Sequence, residues 1–167
     1  AVPEEMDATL KHIDVENWDE AVCVCTDCQV PQLMKTVTQT GNISTINRFA
    51  NILEGVPAED ITKLKAVLEV THCDDLITAS LIAGELDNYM LSENIRGAED
   101  YGRWQLDYML SSADRDLILK HINLYAYGKE LLEQDAAVIS TYGLIERKDN
   151  QPILSQAQQE PSQMTMQ

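Results

Sequence analysis

The sequence predicts a helix-rich α+β chain of two to three small units, with short strands in the first and last of them. Three observations carry that expectation. Apolar residues recur at helical spacing in six separate stretches, while short β-prone runs are confined to 21–25, 86–91 and 136–146. A Thr-rich segment at 36–42 and a change of texture after Gly84 divide the chain. Its 167 residues suit one domain or two to three very small ones, and 44% hydrophobic residues are enough for a core. No repeat of fixed period appears.

The first helix is expected over 3–13. Met6, Leu10 and Ile13 stand at i, i+4, i+7, with Pro3 near the start and Glu4, Glu5 and Asp7 in the first turn, where the helix dipole favours anions. Ala21-Val22-Cys23-Val24-Cys25 is small, apolar and β-prone, and reads as a buried strand. Val30-Pro31 and the segment from Thr36 to Asn42 read as a connection closing a unit over 1–42. Ile43, Ile46, Phe49/Ala50 and Leu53 predict a second helix, with Gly55 at its end. Pro57 opens a third, carrying Ile61, Leu64 and Leu68 on one face behind Glu59 and Asp60. Asp74 or Asp75 caps a fourth through Leu76, Ile77 and Leu81 to Gly84. None of these three would be stable alone, so one small bundle is expected over 43–85.

The last unit is expected over 86–148. Leu86 to Leu91 reads weakly as a strand, and Gly97 to Met109 as a helix with Tyr101, Trp104 and Tyr108 on one face. Ser111-x-x-Asp114 is a looser form of the capping box, leading a helix with Ile118, Ile122 and Tyr125 to Gly128. Residues 136–146 read as two strands around a turn at Gly143. From Asp149 the chain is Gln, Ser and Pro with few apolar residues, which predicts a disordered tail over 149–167.

Charge is the strongest compositional signal. Twelve Lys and Arg face 28 Asp and Glu, a formal charge of −16. That balance disfavours direct binding to nucleic acid or an anionic membrane, both held by Lys and Arg clusters. A partner selected by charge is basic. Residues 1–20 hold Glu4, Glu5, Asp7, Asp14, Glu16, Asp19 and Glu20 against Lys11 alone. Residues 69–107 hold Glu69, Asp74, Asp75, Glu85, Asp87, Glu93, Glu99, Asp100 and Asp107 against Arg96 and Arg103. These acids fall inside expected folded elements, where like charges destabilise the compact state, so solubility alone does not demand them. On the 97–109 helix, Asp100, Arg103 and Asp107 also fit a solvated ion-pair face.

Other chemistry is thinly supported. Cys23-x-Cys25-x-x-Cys28 has only His72-Cys73 as a distant completion, without the second spaced ligand pair a structural zinc site supplies. Strand alternation would put Cys23 and Cys25 on one face as small buried thiols, so neither metal nor cofactor is expected. With no export signal or membrane-length apolar run, reduced thiols and a cytoplasmic location are expected. The histidines are His12, His72 and His121, and no G-x-S-x-G, H-E-x-x-H or P-loop is present, so no enzyme is expected. An acidic partner-binding protein without mimicry and a metal-stapled regulatory module stand as the alternatives.

Several segments together resemble the ArdA-type antirestriction proteins, which mobile elements carry against type I restriction-modification enzymes. They are Ile43-Ser-Thr-Ile-Asn-Arg-Phe, Val56-Pro-Ala-Glu-Asp, Cys73-Asp-Asp-Leu, and Ile122-Asn-Leu-Tyr-Ala-Tyr-Gly-Lys-Glu-Leu followed by Ala137-Val-Ile-Ser-Thr-Tyr-Gly-Leu-Ile-Glu. The family typically has a Tyr-Gly-Arg/Lys-Asp/Glu-Leu stretch before a final strand pair. Residues 3–27 are similar to the helix-strand portion of its first domain. The family usually begins with a strand and a Gly-rich turn ahead of that helix, so an incomplete first unit is expected here. The resemblance implies a DNA mimic: an elongated homodimer whose carboxylates stand where phosphates would, filling the enzyme's DNA groove without catalysis. The sixteen acids of the two blocks above are the candidate partner-binding residues. A dimer's −32 answers to about 54 Å of duplex at one charge per roughly 1.7 Å. The expected dimer surface is the 86–148 unit, through Tyr101, Trp104, Tyr108, Tyr125 and Tyr127, because interface cores favour aromatics.

Overall fold

A computed structural model describes residues 3–18, 24–40 and 42–153. The chain divides into two compact units: residues 1–61 with 74–84, and residues 62–73 with 85–167. This division cuts across the 43–85 segment, because the helix within it that starts at Ile61 groups with the C-terminal elements.

In the first unit, α1 spans Pro3–Ile13, with Glu4 and Glu5 in its first turn and Lys11 and His12 in its last. It ends at Asp14, whose φ of 58° is left-handed, and Val15 N–H then returns to Leu10 O at 3.2 Å. That is the wide bond of a Schellman motif, and Asp is among the few residues that tolerate the conformation. The strand expected at 21–25 lies mainly outside the described residues. The two residues of it that are described are not a strand: Val24 and Cys25 are irregular, and Val24 is 67% exposed.

The connection expected at 36–42 is instead mostly helical. Pro31 starts a 3-10 turn, Pro31–Leu33, which passes directly into α2, Met34–Thr40. β-branched threonines make poor helix formers, but tertiary contacts override propensity here. Val30 and Leu33 are fully buried, Thr38 returns its hydroxyl to Met34 O at 3.0 Å, and Thr36 donates to Asp74 O at 2.9 Å. α3, Ile43–Gly55, starts at Asn42, whose side chain accepts Thr45 N–H at 3.0 Å. α5, Leu76–Gly84, is capped by Asp75, whose Oδ1 accepts Ile77 and Thr78 N–H at 2.9 and 2.7 Å. Phe49 of α3 and Leu76, Ala79 and Ile82 of α5 are buried with Val30 and Leu33.

The second unit contains α4, Ile61–Val70, apart from its first residue. Leu64, Ala66, Val67 and Leu68 are all buried, so more than a single stripe of this helix is covered. Three antiparallel strands follow in spatial order β1-β3-β2: β1 Tyr89–Ser92, β2 Val138–Ser140 and β3 Gly143–Arg147. Leu91 and Val138 both lie opposite Ile145, and Ser140 pairs with Gly143 across a turn at Thr141 and Tyr142. Leu144 and Ile145 are both fully buried. Successive strand residues point to opposite faces, so central β3 is covered on both sides.

α6, Ala98–Met109, and α8, Leu124–Gln134, pack against each other. Between them α7 runs only over Ser112–Ile118. The single helix expected from Ser111 to Gly128 therefore does not form. The capping box works as expected, with Asp114 N–H on Ser111 Oγ at 3.3 Å, but the chain turns at 119–122 and restarts where Asn123 accepts Ala126 N–H at 3.1 Å. The break lets α8 fold back onto α6. Gly128, expected to end a helix, sits inside α8 with its Cα 3.1 Å from where a Cβ on Gly102 would stand. Ile95, Tyr101, Ala137 and Leu144 form a buried cluster, with Leu131, Leu132 and Ile139 against it.

The hairpin turn is clamped from two sides. Glu69, on α4, accepts Thr141 N–H at 2.9 Å and its hydroxyl at 2.6 Å, while Arg96 donates to Thr141 O at 2.6 Å. Glu69→Ala is expected to cost about 1–3 kcal/mol, the range for removing charge-assisted hydrogen bonds. Urea unfolding checks this: Glu69→Gln, which keeps one acceptor, should lose less than alanine does. Among the described residues, no helix is long and apolar enough to cross a membrane.

Candidate functional site

Charge divides unequally between the units. The first carries 13 acids and three bases, the second 15 acids and nine bases. Within the first unit the carboxylates outnumber the cations by ten. Glu4, Glu5 and Asp7 are exposed on α1, and Asp14 and Glu16 are exposed just beyond it. Asp19 and Glu20 lie outside the described residues. Asp74 is exposed before α5; Glu85, Asp87 and Glu93 are exposed around β1.

The structure takes several of the sixteen candidate acids out of that set. Glu69 is half-buried with both oxygens on Thr141, so it is a hairpin clamp and not a free surface charge. Asp75 spends its carboxylate on the start of α5. Asp100 accepts Arg96 N–H at 3.0 Å. Asp107 pairs with Arg115 at 2.7 Å, and Glu99 with Arg103 at 3.6 Å, so both stay on the surface with part of their charge answered. Of these partners, sequence reasoning gave the Asp75 cap but not Thr141 for Glu69 or Arg115 for Asp107.

The aromatic stripe is real in spacing and divided in role. Tyr101 stacks on Trp104 with ring centroids 5.9 Å apart, and Trp104 on Tyr108 at 6.3 Å. Exposure climbs along the row from 1% through 45% to 82%. Tyr101 is therefore a core residue of its own unit, not a dimer contact. Trp104 and Tyr108 are accessible, as is Tyr125 at 61%, while Tyr127 is half-buried. Met109 and Leu117, which the sequence reading did not single out, are also exposed.

The Tyr101 hydroxyl anchors a polar cluster that the sequence did not signal. It donates to Asp135 Oδ2 at 2.7 Å, lies 3.3 Å from Glu146 Oε1 and accepts from Gln105 Nε2 at 3.1 Å. One hydroxyl proton cannot serve both carboxylates, and the shorter distance assigns it to Asp135. Burial first, and then the bond to Asp135, push the phenol well above its usual range. Burial also holds the Glu146 carboxyl above the ordinary carboxylate value; Asp135 adds to that and the Tyr101 bond opposes it. A raised folded-state pKa favours the native state below the ordinary value, and that contribution disappears as pH rises through the folded value. Glu146→Gln stays neutral throughout. Its urea midpoint is accordingly expected to gain on the parent's as pH rises from about 4 to 7. A constant difference across that range would contradict the assignment.

Cys73 is buried, whereas Cys25 and Cys28 are half-buried on the segment before α2; Cys23 lies outside the described residues. Among the described residues, no three His, Cys, Asp or Glu side chains are gathered where they would hold a metal ion.

Fold and surface together define an acidic, helix-rich α+β protein with its least compensated charge in the N-terminal unit. No protein-family model matches this chain, and no curated protein matches it.

Proposed function

We propose that this protein is an antirestriction protein, an acidic decoy that occupies the DNA-binding groove of a type I restriction-modification enzyme. The observation that carries the reading is the charge of the first unit, 13 acids to three bases, five of the acids being exposed on or beside α1. A groove built to neutralise phosphates presents Lys and Arg at close spacing, and it releases counterions to a carboxylate surface as it does to a phosphate one. The resemblance of 43–147 to the ArdA-type proteins supplies the enzyme class. Within this reading the protein self-associates through the accessible aromatic residues Trp104, Tyr108 and Tyr125 and without Tyr101.

Competition tests the proposal. The protein should displace duplex DNA from the methyltransferase core of a type I enzyme, with an affinity that falls steeply as salt rises. Displacement that is absent, or insensitive to salt, overturns it. Sedimentation tests the self-association: Tyr108→Ala with Trp104→Ala should shift the assembly toward monomer, while Tyr127→Phe leaves it unchanged.

A further inference from the structure

α3 carries more apolar surface than its unit covers. Phe49 is buried, but Ile43 and Ile46 are only half-buried and Ala50 is exposed. These three stand at i, i+3 and i+7, so they share one face of the helix. With Asn47 they line one side of an open cavity of ≈ 380 Å³, whose other side is Trp18 together with Glu5 and Thr9 of α1. That volume lies within the range of small-molecule sites, and the lining has their usual make-up: apolar side chains, one aromatic ring and a few polar groups. Thr9 turns its hydroxyl back onto Glu5 O at 2.9 Å. Among the described residues that line the cavity, Glu5 alone carries a charge, and the unit around it has 13 acids to three bases.

We propose that this cavity binds a small organic monocation with an apolar body, of the alkyl quaternary ammonium class. The apolar part covers Ile43, Ile46 and Ala50 and gains from the area it removes from water. The charged head is attracted by the Glu5 carboxylate and by the Trp18 indole, the aromatic ring that holds a cation best. A quaternary head carries no N–H, so entering the cavity strips no hydrogen bonds to water from it. A neutral ligand of the same shape forgoes both attractions. An anion meets Glu5 and the ten surplus carboxylates of the unit. The site is independent of the decoy reading, since it needs neither a protein partner nor self-association.

The test uses the full chain with Trp104→Phe, which leaves Trp18 as the sole tryptophan, and hexyltrimethylammonium below micellar concentrations as the probe. Trp18 emission should change saturably as the ion is added. Tetramethylammonium, which has the head without the apolar body, should bind at least about tenfold more weakly. Hexanesulfonate, which has the chain and the opposite charge, should also bind at least about tenfold more weakly, by a ratio that shrinks with salt. Glu5→Gln should weaken binding of the probe about two- to fivefold. Trp18→Leu, read by calorimetry, should weaken it by a similar factor. Asp7→Asn is the matched control: it removes the same charge from α1 about 200° around the helix from Glu5 and should change the affinity by less than about 1.5-fold. Ala50→Leu fills the cavity from an exposed helical position that suits leucine, so circular dichroism should stay unchanged while binding falls at least about tenfold. Unmoved Trp18 emission, hexanesulfonate binding as tightly as the cation, Asp7→Asn costing as much as Glu5→Gln, or a folded Ala50→Leu protein that binds as the parent does would each overturn the proposal.

Discussion

Gly128→Ala is expected to cost about 3 kcal/mol or more and to separate α8 from α6. A Cβ at this position would overlap the Ala98 carbonyl, lying 2.6 Å from its carbon and 3.0 Å from Gly102 N. All of these are backbone atoms of α6 or its first residue, so no side chain can swing aside. Overpacking a core typically costs about 1–3 kcal/mol, and this site sits at the upper end because relief requires moving a whole helix. The intrinsic helix preference for Ala over Gly, about 0.5–1 kcal/mol, acts in the opposite direction and is too small to compensate. Gly55→Ala is the control: nothing lies within 4 Å of the added carbon, so that variant should match or slightly exceed the parent. Urea unfolding followed by circular dichroism reads both. A Gly128→Ala protein as stable as the parent would mean that α6 and α8 do not cross at Gly102 and Gly128.

The second large effect is on binding. Combining Glu4→Gln, Asp7→Asn, Asp14→Asn and Glu16→Gln removes four exposed charges and takes the chain from −16 to −12. An exposed ion pair is worth about 0.2–1 kcal/mol, so each single change should weaken binding to a type I methyltransferase by less than about fivefold. The block should weaken it by about 4- to 1,000-fold and flatten the dependence of log K on log salt, because fewer ions are released. Asn is chosen at position 14 because it tolerates the left-handed backbone that Asp14 adopts there. An unchanged melting temperature separates lost charge from lost fold. If one of the four singles abolishes binding while the others do nothing, the surface acts as a pocket with one anchor, and the decoy reading fails.

Helix periodicity was readable wherever one stripe of apolar residues ran between clear start and stop residues. Residues 3–13, 43–55 and 98–109 are of this kind, and the caps at Asp75 and Ser111 follow from local hydrogen-bonding chemistry within three residues. The hairpin at 138–147 was readable as two short strands, but its turn falls at Thr141 and Tyr142, and Gly143, read as the turn, is the first residue of β3. α2 was not readable. Its threonines lower local helix preference, and the contacts that outweigh it include Asp74, 38 residues further along. The break between α7 and α8 was hidden because Ile118, Ile122 and Tyr125 continue a helical period that the chain does not follow. Only the backbone crossing at Gly102 and Gly128 gives the reason for the turn.

By itself the sequence determined the class of fold, the large excess of carboxylates and its concentration toward the N-terminus, since these depend on composition and on neighbours a few residues apart. The tertiary structure decided which of those groups are available. Tyr101, Trp104 and Tyr108 share one helical stripe, yet only the packing of α6 turns Tyr101 inward onto Asp135 and leaves Tyr108 in solvent. Glu69 is one acid among 28 until the fold brings it to Thr141, 72 residues away, where it becomes a clamp. Burial and pairing are properties of groups distant along the chain, and a local pattern carries no record of which distant group will arrive.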